Sequence, residues 1–127
     1  MKLRKNFEFL NVYRNGAYYA DKYIVLYVLK NRKNETYFGI TVGKKVGGSV
    51  VRSRVTRLIR EAVRRNIKTI RPGYDIVVLA RAGSGGEKLA RIEKSFIQLS
   101  KKGRVYLQET GEETRNEKID PLIDQRL

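Results

Sequence analysis

The chain has 127 residues, 41% hydrophobic and 32% charged, which is room for one domain with a modest core and too apolar a composition for a disordered chain. It carries 28 Lys and Arg against 13 Asp and Glu, a formal net charge of +15, and has neither Cys nor His. Disulfides and thiolate metal sites are excluded, the commonest metal ligand and general base is missing, and a polyanion is the expected partner.

The charge is unevenly placed. Residues 1–102 hold 24 basic and 7 acidic side chains, whereas residues 103–127 hold 4 and 6. The positive field therefore belongs to a folded domain at 1–102, followed by an acidic tail at 103–127. The longest apolar stretch, residues 23–29, is far shorter than the roughly 20 residues that cross a bilayer. The start also lacks a signal-peptide apolar region, so a cytoplasmic protein with no membrane partner is expected.

In chain order, Asn6 is placed to cap a short helix over residues 7–15, and Gly16 suits its closure in the left-handed conformation. Residues 23–29 are rich in β-branched and aromatic side chains and read as a strand. Residues 31–35 form a polar turn into a second strand at 36–42, and the two are expected to make a hairpin. Alternation puts Ile24, Leu26 and Val28 beside Phe38, Ile40 and Val42 on a core face. The opposite face carries Tyr23, Val25, Tyr27 and Leu29 beside Tyr37, Gly39 and Thr41, a shallow trough of rings, a hydroxyl and a missing side chain.

After a loop at 43–49, apolar residues Val51, Val55, Leu58, Ile59, Ala62 and Val63 recur at helical spacing. They predict a helix over 50–66, capped by Ser49 and about 25 Å long. Pro72 interrupts the pattern, and residues 74–80 form a third strand suited to burial on both sides, so that strand, helix and strand make a crossover unit. Residues 83–86 read as a flexible link. Residues 87–102 read as a last helix, with acid early and base late to match the helix dipole. The expected fold is a single α+β domain in α-β-β-α-β-α order on a mixed sheet, with room for one further strand before the long helix.

The long helix concentrates the charge. Lys44, Lys45, Arg52, Arg54, Arg57, Arg60, Arg64 and Arg65 are opposed in that segment by Glu61 alone. At 100° per residue, Arg57, Arg60 and Arg64 fall with Ser53 opposite the apolar stripe, and Arg52, Arg54 and Arg65 fall at its flanks. A solvated helix would interleave acids at i,i+4 to relieve repulsion, so cations this crowded point to phosphates. Arginine over lysine favours forked bonding to phosphate and stacking on bases. The loop 43–49 leads into the helix's unpaired amides, which also favour anions, but its glycine spacing is not that of a nucleotide-binding P-loop.

The run from Gly39 to Ala62, GITVGKKVGGSVVRSRVTRLIREA, resembles the signature of the ribonuclease P protein subunit family, in which a Lys-Lys-hydrophobic-Gly loop joins an Arg-Asn-Arg helix. The likeness continues through Phe9 and Tyr13, through Ile24 to Tyr27 and through Asp75 to Arg81, and covers about residues 3–102. Arg52, Arg54, Arg57 and Arg60 match the family, whereas Ser53 stands where Asn is usual, Thr56 where Lys is common and Gly48 where Asn is frequent.

The resemblance implies helices on both faces of the sheet and a left-handed crossover. It implies a catalytic RNA gripped by Lys44, Lys45, Arg52, Ser53, Arg54, Arg57, Arg60 and Arg64. It also implies a trough for the 5′ leader of precursor tRNA that includes Phe9, Tyr13 and Tyr27, beside which the strand reading sets Val25 and Tyr37. The protein itself would bind no cofactor or metal and supply no catalytic residue, the Mg²⁺ of the holoenzyme being held mainly by RNA, and DNA is not an expected partner. Composition leaves open a ribosomal or general structural RNA-binding protein; a metal-dependent nuclease acting alone would need Asp21, Glu61 and Asp75 to assemble a two-metal site, and these acids are scattered, with Glu61 set among arginines that favour salt bridging.

Overall fold

The computed structural model describes residues 2, 3 and 5–107. In chain order they form α1 (Asn6–Asn15), β1 (Ala17–Ala20), β2 (Ile24–Lys30), β3 (Tyr37–Val42), α2 (Ser49–Asn66), β4 (Tyr74–Ala80) and α3 (Leu89–Lys102). Short helical turns lie at Lys44–Val46, Ile67–Thr69 and Ala82–Ser84. The strands make one mixed sheet in the order β1-β2-β4-β3, with β3 and β4 parallel and the other neighbours antiparallel. The α+β class holds, and β3-α2-β4 is the predicted crossover.

The core sits on the two sheet faces as the alternation requires. On one face Ile24, Leu26, Val28, Ile76 and Val78 pack under Val55 and Ile59 of α2 and under Ile92, Phe96 and Leu99 of α3. On the other, Val12 of α1 closes over Leu29 and Val77, joined by Leu3. Tyr23 departs from the predicted trough. It precedes β2 and packs on the main core, with the Arg91 guanidinium 4.6 Å from its ring centroid.

The predicted hairpin of residues 23–29 and 36–42, observed as β2 and β3, is wrong. Strand β4, fully buried at Ile76, Val77 and Val78, inserts between them and pairs with both. A strand apolar on both faces gains most at the centre of a sheet, and the connection at residues 31–36 is long enough not to force its flanking strands together. The true hairpin joins β2 to β1, whose four residues carry too little pattern to be read as a strand. Asp21 builds its turn, its Oδ1 accepting from the amides of Tyr23 (2.8 Å) and Ile24 (3.0 Å).

Several local expectations also change. Asn6 is inside α1, and Glu8 reaches back instead to accept the Lys5 amide at 2.9 Å. Gly16 is extended rather than left-handed; it is required because a Cβ there would lie 2.7 Å from the Val12 carbonyl oxygen and 2.8 Å from that of Val28. Ser49 is the first residue of α2 and Gly48 its cap. Helix α3 starts after Glu87, so its first turn carries no acid. Residues 83–86 are no slack link, since Ser84 is buried and its hydroxyl donates to the Arg81 carbonyl at 2.7 Å.

Residues 103–107, predicted as the start of the tail, belong to the packed body. Val105 is fully buried, its carbonyl accepts the Arg71 amide at 2.7 Å, and the Leu107 amide donates to the Thr69 carbonyl at 2.6 Å. The remainder of the predicted tail, 108–127, lies outside the described residues.

Asp21 ties the hairpin to the rest of the fold. Burial works to raise its carboxyl, but a hydrogen bond from Ser95, those from the Ile24 and Tyr23 amides and the nearby Arg91 outweigh it and hold the group below its ordinary value. Its contribution to stability is therefore full above the unfolded-state value near 3.8 and is lost as the pH falls through the lower folded value. Asp21→Asn should flatten the acid limb of a stability-versus-pH curve measured by urea unfolding below pH 4; an unchanged limb would contradict this role.

Candidate nucleic-acid interface

Helix α2 buries Val55, Ile59, Ala62 and Val63 and turns its opposite side outward, as the apolar spacing requires. The structure then sorts the cations of that segment by their partners. Arg54 donates to the Glu87 carbonyl at 2.6 Å, and Arg65 lies 3.4 Å from Glu93, so both flank residues tie α2 to α3 and the loop before it. Arg64 is forked onto Glu61, its Nε donating to Oε1 at 2.9 Å, and this bond with the charges of Arg64 and Arg65 holds the Glu61 carboxyl below its ordinary value.

Arg57 and Arg60 are exposed and have no partner among the described residues. Ser53 is exposed one turn before Arg57, and Lys44 and Lys45 are exposed on the turn that precedes α2. Arg52 is half-buried, and its Nε is shielded from solvent with no hydrogen-bond partner among the described residues. Together Arg52, Ser53, Arg57 and Arg60 line a shallow depression of about 440 Å³, floored partly by Val42 of β3 and Thr56. Thr56 donates its hydroxyl to the Arg52 carbonyl at 2.8 Å.

Strand β3 is the sheet edge between α2 and α1, and it links this depression to two others. Phe9, Ile40, Thr56, Arg60 and Val63 line a groove of about 380 Å³, and Phe9, Leu10, Tyr13, Ile40 and Thr41 line another of about 560 Å³. The arginine face and the aromatic face of α1 are therefore neighbours across one edge strand. A polyanion with unpaired rings could lie on both at once, its backbone on the guanidinium groups and its rings on the aromatics.

The predicted trough residues separate into two groups. Tyr13 and Tyr27 meet edge to face with ring centroids 4.8 Å apart, and Tyr13 Oη shares a hydrogen bond of 2.9 Å with Thr41 Oγ1. Cross-strand register places Val25 with Leu79 and Thr41 in the next row, all half-buried. Tyr37 lies in the row on the other side, beside Asp75 and under the Lys33 ammonium, 4.9 Å from its ring centroid. Phe9 comes between these groups, because its ring fills the space over Gly39.

Tyr18 lies outside the predicted trough. It is 68% exposed, pairs with Tyr27 across the β1-β2 ladder and sets its ring 5.8 Å from that of Tyr27, which extends the aromatic surface by one strand. The pair Tyr18-Tyr19 was visible in the sequence, but without β1 it had no face.

The space at Gly39 has a checkable consequence. A Cβ there would come within 2.6 Å of the Phe9 ring, so Gly39→Ala must displace it. Overpacking of this kind costs about 1–3 kcal/mol. Denaturant unfolding should show that loss, and an unchanged midpoint would mean that Phe9 moves aside freely.

Asp21, Glu61 and Asp75 do not converge. Asp21 holds a hairpin turn, Glu61 is paired with Arg64, and Asp75 accepts from Asn31 Nδ2 at 2.9 Å. No group of three or more His, Cys, Asp or Glu able to hold a metal occurs among the described residues, nor is any helix there long and apolar enough to cross a membrane.

Fold and surface thus define a class: a small basic α+β domain that sets an arginine-faced helix beside an aromatic-lined sheet face. Comparison with known proteins makes this particular. The model of the Ribonuclease P family matches residues 1–104. A ribonuclease P protein component from Clostridium botulinum (strain 657 / Type Ba4) is 49% identical over 106 residues, which is 83% of this chain and 96% of that one. The solved ribonuclease P protein of Staphylococcus aureus superposes with a TM-score of 0.76 at 29% identity, covering 83% of this chain and 96% of that one. That of Thermotoga maritima gives 0.73 at 28% identity, covering 80% and 96%. The chain belongs to the ribonuclease P protein family.

Proposed function

We propose that the protein is the RNA-binding subunit of a cytoplasmic ribonuclease P and promotes endonucleolytic removal of the 5′ leader from precursor tRNA. The outward face of α2, with Lys44 and Lys45 before it, grips the catalytic RNA. The surface formed by Tyr13, Tyr18, Tyr27, Val25 and Phe9 receives the single-stranded leader. Tyr37, packed on the cluster of Leu3, Val12, Leu29 and Val77 with Lys33 over its ring, forms the far end of that surface. The RNA carries the catalysis, with Mg²⁺ held mainly by RNA to align and activate the attacking water, so the protein needs no base of its own.

The observation that carries this reading is the adjacency of two surfaces: exposed Arg57 and Arg60 on one side of β3 and the clustered rings of Tyr13, Tyr27 and exposed Tyr18 on the other. One RNA complex with a single-stranded extension satisfies both. The test is to mix the protein with its catalytic RNA at near-physiological Mg²⁺ and follow cleavage of precursor tRNA. Efficient 5′ processing should require both components. Cleavage by the protein alone, or no stimulation of the RNA, would refute the proposal, and cosedimentation with ribosomal subunits in stoichiometric amount would point instead to a ribosomal protein.

A further inference from the structure

Strand β3 is an edge of the sheet, and only part of that edge is covered. Residues 2 and 3 run beside its start, where Lys2 bridges Phe38 and the Leu3 amide donates to the Phe38 carbonyl at 2.9 Å. In an extended strand the amide and carbonyl of one residue point to the same side, and those of the next residue point to the other. The Phe38 carbonyl faces away from β4, so the amides and carbonyls of Ile40 and Val42 do the same. Those of Ile40 have no partner among the described residues.

Ile40 lines the groove of about 380 Å³ that lies between α1, β3 and α2. Phe9 closes this groove on the α1 side, Val63 and Ile67 wall it on the other, and Arg60 and Arg64 stand beside them. Its volume is at the small end of the roughly 300–1,000 Å³ that holds small molecules. Ile67 is 44% exposed, unusual for an isoleucine next to a core.

One residue's outward amide and carbonyl set a donor beside an acceptor, which complements the Watson–Crick edge of an unpaired base. An apolar wall with an aromatic ring takes the face of that base, and a guanidinium takes its phosphate. A strand from another protein would use the same backbone groups, but the uncovered stretch is too short for it. Leu3 bounds it at one end and the turn that begins at Gly43 bounds it at the other, which leaves residues 40–42, whereas strands usually run for about five or six residues.

We propose that this groove holds one unpaired base of the catalytic RNA, with the base edge bonded to the Ile40 amide and carbonyl and its phosphate on Arg60. The inference rests on the function proposed above and adds base recognition to contacts that otherwise reach the RNA backbone alone. The catalytic RNA, rather than the leader, is the source because the far wall of the groove is α2, from Thr56 to Arg64. Tyr13 lines the neighbouring groove, on the other side of Phe9. Phe9 then divides the two RNAs.

The test uses the holoenzyme assembled from the full chain. The protein has no Cys, so Ile67→Cys takes an azidophenacyl group at the wall of the groove. Irradiation should cross-link it to one unpaired nucleotide of the catalytic RNA. Removing the base of that nucleotide while keeping its phosphate should weaken binding of the unlabelled protein about tenfold, within the range for one stacked base. Ile67→Trp, which fills the groove from an exposed position, should weaken the intact RNA similarly and leave the abasic RNA unaffected. An ester in place of the peptide bond before Ile40, which removes that N–H alone, should weaken the intact RNA about fivefold. Cross-links only to the leader or only to paired nucleotides, or an abasic RNA that binds as tightly as the intact one, would overturn the proposal. Arg57→Ala combined with Arg60→Ala tells that failure from a failure of the α2 reading. If the double variant still binds more weakly and with a shallower salt slope, α2 holds the RNA backbone and only the base is misplaced. If it binds unaltered, the RNA does not lie on α2 and the proposal falls with that reading.

Discussion

Replacing Arg57 and Arg60 together by Ala is expected to weaken binding to the catalytic RNA by about 3 kcal/mol at low salt, on the order of 100-fold, because each guanidinium loses a charge-assisted bond to phosphate. The salt dependence should change as well. Each phosphate neutralised contributes about 0.9 to the slope of log affinity against log salt on duplex, so the double variant should be shallower by about two. Folding should be untouched, since both side chains are exposed and bound to nothing among the described residues. Arg54→Ala provides the contrast. That guanidinium is spent on the Glu87 carbonyl, so its removal should cost stability rather than salt-dependent affinity. An Arg57/Arg60 variant that binds with an unaltered slope would move the RNA off this face.

The second large effect is expected on the aromatic face. Tyr27→Ala should lower affinity for leader-bearing precursor tRNA by about 1–3 kcal/mol, the range for one stacked base, and leave mature tRNA nearly unaffected. Tyr18→Ala should act in the same direction at little cost in stability, because its ring is mostly in solvent. Phe9→Ala is a poorer probe. Its ring occupies the place of the missing side chain at Gly39, so it would lose packing and stacking together. Binding measured in parallel with both tRNA forms separates these roles, and equal losses for the two forms would remove the aromatic face from the account.

What the sequence shows in advance depends on how local the signal is. The apolar stripe of α2 and the alternation of β2 are properties of single elements, and they predicted burial at Val55, Ile59, Ala62 and Val63 and at Ile24, Leu26 and Val28. The neighbour relations of the strands are not local. Nothing within residues 23–42 tells that β4 will enter between β2 and β3; only its two-sided apolar run hints at a central place. β1 escaped because four residues with two tyrosines carry no periodicity to speak of, and with it went Tyr18.

The candidate interface was legible to a similar depth. An arginine cluster with one acid declared the charged face, but which arginines are free depends on Glu87 and Glu93, residues remote in the chain that meet Arg54 and Arg65 only after folding. Likewise Val25 and Tyr37 share a sheet face by alternation, yet the placement of α1 and the Phe9 ring leaves one beside the open surface and the other at its far end.

The claim on which the function turns is that the outward side of α2 lies on the catalytic RNA. Ser53→Cys, carrying a tethered hydroxyl-radical source, places a probe on that side in a chain with no other thiol. In the assembled holoenzyme it should cut the catalytic RNA at a few discrete positions, whereas the same probe at Lys94→Cys, exposed on α3, should cut weakly and elsewhere. Discrete cuts from position 94 with none from position 53 would contradict the account.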